Sequence, residues 1–335
     1  MAILFVIIGH IKFGLNYPAF FYNLSQFIEF GSLGVQVFFV ISGFLITGLL
    51  LKEKAATGTI DLGNFYTRRS LRIFPVFFIY IIVISLLKFF HIAIVNSKAI
   101  LAALLLITNF GNFHSQWLIA HSWSLAVEQQ FYFCWPIAVV FMPRKYTYIF
   151  AGIIIYYLLY YYLRHYPLLY IVRGFVMVAP PIVLGATLSI ALFKGWLTKV
   201  HSILMHPLFA FSLFYAVAMY IPRAFNTAPL FYIPLDYILS SFFIVVFLYY
   251  AIHCSSSNPV YKILNFPVIT YIGILSYSIY IWQQPFFSTE NSFQIYPVWA
   301  RFPVNIVLAF IMAFISYNLI EKPFLTLKKH FKKIQ

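Results

Sequence analysis

The 335-residue chain is 63% hydrophobic and only 9% charged, with a mean hydropathy of +0.90, which excludes an ordinary soluble domain and reads as a polytopic membrane protein. In a soluble chain a formal charge of +15 would point to nucleic acid, but here the basic residues sit in short connections between apolar runs, so no nucleic-acid partner is expected. The two cysteines, Cys134 and Cys254, have no CxxC or ligand spacing and imply neither a disulfide framework nor a metal site.

A helix needs about 20 apolar residues to cross a hydrocarbon core of roughly 30 Å. Ten runs meet this in chain order, from about Ala2 to Tyr17, Leu33 to Leu51, Ile73 to Phe90, Leu125 to Met142, Tyr146 to Leu163, Phe175 to Phe193, Ile203 to Ile221, Tyr237 to His253, Val268 to Phe287 and Val304 to Ile320. The first lacks a basic leader and a small-residue cleavage site, so it is expected to stay as a span. An eleventh candidate, Ala99 to Phe110, is short. With a cytoplasmic N-terminus and ten crossings, fifteen of the 22 basic residues fall inside and six outside, the asymmetry that short cytoplasmic loops show. Letting the eleventh run cross would move Arg144, Lys145 and every later loop to the opposite face, so it is expected to be re-entrant or to lie at the outer interface. The expectation is an all-α, polytopic integral membrane helical bundle of about ten transmembrane helices with both termini cytoplasmic. Residues 1–325 are expected to form one membrane-embedded domain and residues 326–335 a basic tail, best placed on the cytoplasmic side, and no fused soluble enzyme is expected.

Three polar features stand against this background. His10, in IGHIKFG, lies about 15 Å along its helix from Met1, near or beyond the midplane. Imidazole is suited to take a proton from a hydroxyl near neutral pH; the plainer alternative is a histidine satisfied by a neighbouring helix. The segment GTIDLGNFYTRRSLRIFP, Gly58 to Pro75, sets Arg69 and Arg72 three apart, on one face if helical, where guanidinium forks suit phosphate oxygens. A topology signal or an anionic-lipid contact explains the same charges, and charge alone leaves both readings open. Finally, HSWSLAVEQQFYFCWP, His121 to Pro136, places Glu128 at the head of an apolar run, and a carboxylate at membrane depth reads as a functional site in search of a partner.

Together with these, the blocks GSLGVQVFFVISGFLIT from Gly31 to Thr47, FYTRRSLRIFP from Phe65 to Pro75, SYSIYIW from Ser276 to Trp282 and IEKPF from Ile320 to Phe324 resemble the membrane-bound acyltransferase family 3, bacterial O-acyltransferases of surface polysaccharides. The resemblance covers nearly the whole chain, and the family's ten-span core agrees with the count above. It implies acyl transfer, acetyl in the first instance, in the bacterial cytoplasmic (inner) membrane. No cofactor is bound: acyl-CoA, or acetyl-CoA, is the donor substrate on the cytoplasmic side. The acceptor is a carbohydrate hydroxyl on the outer side, of lipopolysaccharide, exopolysaccharide or similar, and the lipid bilayer is the surrounding partner. His10 matches the family's essential histidine, Arg69 and Arg72 its paired arginines, with Arg68 beside them on the donor side, and Ser122, Trp123, Ser124 and Glu128 its outer-loop signature. An acyl thioester is already activated, so the protein has mainly to raise an alcohol's nucleophilicity, stabilise an oxyanion and exclude water. On this reading His10 is the general base, and Glu128 orients it or holds the acceptor. Trp117 and Trp123 are candidates for carbohydrate stacking, and Asn109 and Asn112 for hydrogen bonds to the acceptor, although loop structure explains the asparagines equally well. Most of the forty Phe and twenty-six Tyr read as span filler and interfacial belt, including the cluster from Tyr156 to Tyr162.

This sequence departs from the family pattern in places. The arginine that family members usually carry eleven residues before the histidine would precede Met1. Gln36 stands where an acid is frequent and Gln283 where a histidine is common, changing any proton relay through those positions while keeping hydrogen-bonding capacity. Two rival classes remain: a transporter or flippase, which often shows inverted repeats that are not evident here, and a sensor or assembly subunit without chemistry.

Overall fold

A computed structural model describes residues 1–14, 16–20, 23, 29–111, 113, 116–141, 178–218, 232–288, 290–295 and 297–331. Among them the α-helices are α1 (Ala2–His10), α2 (Phe30–Thr57), α3 (Leu62–Phe89), α4 (Ser97–Leu104), α5 (Trp117–Ala120), α6 (Ser122–Phe141), α7 (Pro180–Phe193), α8 (His201–Leu204), α9 (Ser212–Ala218), α10 (Tyr232–His253), α11 (Pro259–Leu264), α12 (Pro267–Phe286), α13 (Val304–Ser316) and α14 (Lys322–Leu327). A five-residue π-turn, Tyr317–Glu321, joins the last two, and one antiparallel bridge links Ala93 with Phe293. The all-α expectation holds for these residues.

Three of the described helical runs are long and apolar enough to cross a membrane: α2, α3 and the continuous run Val304–Leu327. A fourth exists if α7 and the following Thr198–Leu204 count as one span bent by 96°. The expected first run is only partly helical, because α1 ends at His10 and a single 3-10 turn, Ile11–Phe13, follows. Nine residues rise about 13 Å, so α1 reaches only part of the way through a bilayer. The Ala99 to Phe110 segment is likewise too short to cross: α4 has eight residues and gives way to the 3-10 turn Thr108–Phe110. The expected span from Tyr146 to Leu163, the residues Arg144, Lys145 and Asn112, and the cluster from Tyr156 to Tyr162 lie outside the described residues.

The pair α2 and α3 forms a hairpin. Gly58 ends α2 with φ 75°, a left-handed conformation that glycine adopts without steric cost. Asp61 caps α3 by accepting from the Asn64 N–H at 3.0 Å, and Glu53 accepts from the Asp61 N–H at 2.8 Å. Because α3 starts at Leu62 and continues through Pro75, Arg68, Arg69 and Arg72 are all helical. Arg72 immediately precedes the apolar run in which the sequence places the span, and Arg68 and Arg69 stand about one turn earlier.

At the centre of the bundle α2 packs on α1, α6, α7 and α10. Its tightest neighbour is α7. A Cβ on Gly43 would come 1.9 Å from the Ile182 carbonyl oxygen, and one on Gly185 would come 2.0 Å from that of Val40. Lipid tails are as apolar as leucine, so helices in a bilayer associate through close van der Waals packing, and small residues permit it. Polar ties fix α6 to the same scaffold. The Trp135 indole donates to Thr47 Oγ1 at 2.9 Å, and Lys54 Nζ caps α6 by donating to the Val139 and Val140 carbonyls at 2.9 and 3.0 Å. On the α10 side, fully buried Gln36 accepts from Ser240 at 2.9 Å.

Candidate active site

A cavity of about 540 Å³ opens among α1, α2, α3, α6 and α12, and its polar lining is Arg69, Arg72, Ser42, Ser124, Glu128, Tyr132, Ser276, Tyr277, Tyr280 and Lys328. The (i, i+3) spacing puts Arg69 and Arg72 on one face of α3, as the sequence predicts if the segment is helical. The Arg69 guanidinium lies 5.7 Å from the ring centres of both Phe65 and Tyr132, and its buried Nε has no hydrogen-bond partner among the described residues. Arg72 is exposed to the cavity. A desolvated guanidinium without an acceptor is costly to maintain, so the pair suits an anionic guest. Arg68 faces elsewhere, pairing with Glu53 Oε2 at 3.2 Å and donating to the Phe331 carbonyl at 2.9 Å.

Glu128 belongs to this cavity. Its Oε1 accepts from Ser42 Oγ and from the Tyr132 hydroxyl, the latter at 2.7 Å, and the Tyr132 oxygen lies 3.1 Å from Ser42 Oγ. Farther along the lining, Ser124 Oγ bonds the Tyr280 hydroxyl, and both reach the His121 carbonyl, at 3.1 and 3.0 Å. The Tyr277 hydroxyl donates to the Ile73 carbonyl at 2.6 Å, fastening α12 to α3 beside Arg72.

His10 stands at the other end of α1 from the residues that line this cavity. Its Nδ1 lies 2.7 Å from Gln283 Oε1, and its ring meets Trp117 edge-on at 5.1 Å between centres. The Nε2 side faces α2 at Gly31, where a Cβ would come 3.7 Å from Nε2. Backbone contact sets this position: a Cβ on Gly9 would come 2.2 Å from the Gly31 nitrogen. Helix α2 therefore measures the separation. Gly31 marks the level of His10 and Ser42 that of Glu128, and eleven residues rise about 16 Å. The structure does not bring the two expected catalytic residues into one pocket; it groups Glu128 with the arginines.

The remaining expected residues are spread between these ends. Ser122 Oγ donates to the Ile119 carbonyl at 2.7 Å and lies 3.1 Å from Thr108 Oγ1. Trp123 packs edge-on against Phe39. Asn109 exchanges hydrogen bonds with Gln130, at 3.1 and 2.9 Å, which pins the segment after α4 to α6. Trp117 donates its indole N–H to the Gln284 carbonyl at 3.1 Å, so its polar edge is engaged beside His10.

A family model described as an acyltransferase domain matches residues 1–319. The chain belongs to the acyltransferase 3 family. Its relatives include a Staphylococcus aureus strain COL protein named "Putative O-acetyltransferase SACOL0978", 30% identical over 90% of this chain and 54% of the relative. The O-acetyltransferase OatA of Staphylococcus aureus strain NCTC 8325 / PS 47 is 29% identical over 98% of this chain and 56% of its own length. The chain spans about half the length of the curated relatives it matches. No solved structure matches it.

Several residues of this acyltransferase domain acquire a place that sequence reasoning did not give them. Ser42, Tyr132 and Tyr280 surround Glu128 and the cavity, yet a hydroxyl in an aromatic-rich apolar run carries no signal of its own. Glu321, in IEKPF, is buried at 3% exposure and accepts from Ser278 Oγ at 2.8 Å. It lines, with Arg72, an adjoining and mostly apolar cavity of about 620 Å³. The visible signal was an acid at the end of an apolar run, and the π-turn that carries it is a frequent mark of functional sites.

Proposed function

We propose that this chain is a membrane O-acyltransferase that moves an acyl group, acetyl in the first instance, from cytoplasmic acyl-CoA to a hydroxyl of a cell-surface or periplasmic carbohydrate. The observation that carries the reading is the cavity in which Arg69 and Arg72 lie with Glu128, Ser124 and Tyr280. Guanidinium groups without an acceptor among the described residues, lining a chamber, suit the phosphates of a CoA donor. Turned away from the His121 carbonyl that they reach, the Ser124 and Tyr280 hydroxyls would meet the carbonyl oxygen of the thioester as it gains charge. The orientation that fits has this basic end at the cytoplasmic face of the bacterial inner membrane and His10 toward the acceptor, in a bundle of about ten spans. The choice of acetyl rests on the names its relatives carry, and the carbohydrate acceptor and cell-envelope setting rest on the resemblance to the family alone.

In the reaction, the acceptor oxygen attacks the thioester carbonyl carbon while its proton passes to His10. The C–O bond forms, the C–S bond breaks, and the proton held by His10 passes on to the departing thiolate, giving free CoA and returning His10 to its neutral form. Glu128 sits with the donor arginines, where its carboxylate holds Ser42 and Tyr132 in place.

The test is purified protein in vesicles with labelled acetyl-CoA inside and polysaccharide or oligosaccharide acceptors outside. Label appearing as an alkali-labile ester on the acceptor supports the proposal. Translocation of solute without ester formation would replace it with the transporter reading, and neither outcome with a folded protein would leave a sensor or assembly role.

A further inference from the structure

We infer that Gln283 and Gln284 form an amide relay that fixes His10 in one tautomer, with the proton on Nδ1 and the basic lone pair on Nε2. The inference rests on His10 being the base of the proposed reaction, and it adds two positioning residues to it. The Trp117 backbone carbonyl at the end of this row accepts and never donates. Gln284 Nε2 lies 2.8 Å from it, so that end of the Gln284 amide is the donor and its oxygen is the other end. That oxygen receives Gln283 Nε2 at 3.0 Å. The Gln283 oxygen is therefore the atom that meets His10 Nδ1 at 2.7 Å, and an amide oxygen requires N–H opposite it. Reversing either amide would set oxygen against oxygen or N–H against N–H somewhere along the row.

The row is built to resist such a reversal. Gln283 and Gln284 are 0% and 1% exposed, and the Trp117 indole returns a hydrogen bond to the Gln284 carbonyl. The helix carrying the amides and the short helix carrying the anchor are thus tied twice. With Nδ1 protonated, Nε2 is left as the proton acceptor, on the side of the ring that faces Gly31 of α2. When Nε2 takes the hydroxyl proton, the imidazolium keeps its Nδ1–H bond to a neutral oxygen. A glutamine there orients the base and steadies its charged form without adding a buried negative charge.

The experiment combines kinetics with histidine-selective nitrogen-15 NMR on the full chain in detergent or nanodiscs, the His10 signal being assigned by its loss in His10→Ala. In the unmodified protein the spectrum should show protonated Nδ1 and unprotonated Nε2. Gln283→Met keeps the volume and removes the acceptor. It should give a mixture of tautomers, lower kcat at least roughly tenfold with donor KM unchanged, and move the acid limb of the rate profile to lower pH, because the imidazolium has lost its partner. Gln283→Glu keeps the acceptor and adds charge, so the acid limb should move up by about one pH unit or more. Gln284→Leu should also mix the tautomers while leaving Gln283 in place.

A mixed tautomer in the unmodified protein, or pH profiles that do not move in opposite directions in the two Gln283 variants, overturns the relay. If Gln283→Met does not fold, the tautomer in the unmodified protein and the Gln283→Glu profile decide. The NMR result needs no turnover, so a fixed tautomer in a protein that transfers no acyl group would retain the relay and remove the acyltransferase reading.

Discussion

Arg68, Arg69 and Arg72 lie within one short stretch of α3 but face different partners, and their substitutions should separate accordingly. Arg69→Ala and Arg72→Ala should each raise the donor KM by roughly tenfold, the loss of one charged hydrogen bond worth about 1.5 kcal/mol. Donor titration of normally inserted protein checks this. Arg68→Ala should leave donor kinetics alone and lower thermal stability in detergent, because its partners are Glu53 and the Phe331 carbonyl. His10→Ala should reduce acyl transfer by 10² to 10⁴, the typical worth of a positioned base, with donor affinity intact in a binding isotherm. The arginine pair and His10 were legible as chemistry in the sequence because charge is conspicuous in an apolar chain. The divergence of Arg68 was not: the carbonyl that holds it lies 263 residues away, and no local pattern encodes that contact. For the same reason Gln283 read as a missing histidine until its contact with His10 gave it a role.

The helices were legible from apolar runs, but the level at which each presents its polar residues was not. Nothing in the spacing of His10 and Glu128 along the chain reveals that they meet α2 eleven residues apart. That offset alters what a double variant should do. Residues of one device are non-additive, whereas groups about 16 Å apart acting on different parts of the reaction should combine independently. The rate losses of His10→Ala and Glu128→Gln should therefore multiply, and a double variant no worse than the worse single would mean that they act together in some closed state. At the α2 and α7 contact, Gly43→Ala or Gly185→Ala should force the helices apart and destabilise the protein by about 1–3 kcal/mol, the usual cost of overpacking. A lowered apparent Tm measures it. The SGFLIT block, legible only as a family signature, thereby acquires a packing reason for its glycine.

For the molecule as a whole, hydropathy and charge gave an all-helical membrane bundle, whereas the ends of its helices depended on contacts that periodicity does not report, as the early end of α1 at His10 shows. The ten-span arrangement predicts that a reporter fused after Lys145 reads cytoplasmic and one near Asn112 reads extracytoplasmic; the reverse pair of readouts would sink it. The seam between Gly43 and Gly185 bears on the rival transporter reading in mechanical terms. Two backbones in such close contact leave no room between them for a side chain, so a transport cycle would have to carry α2 and α7 together as one body.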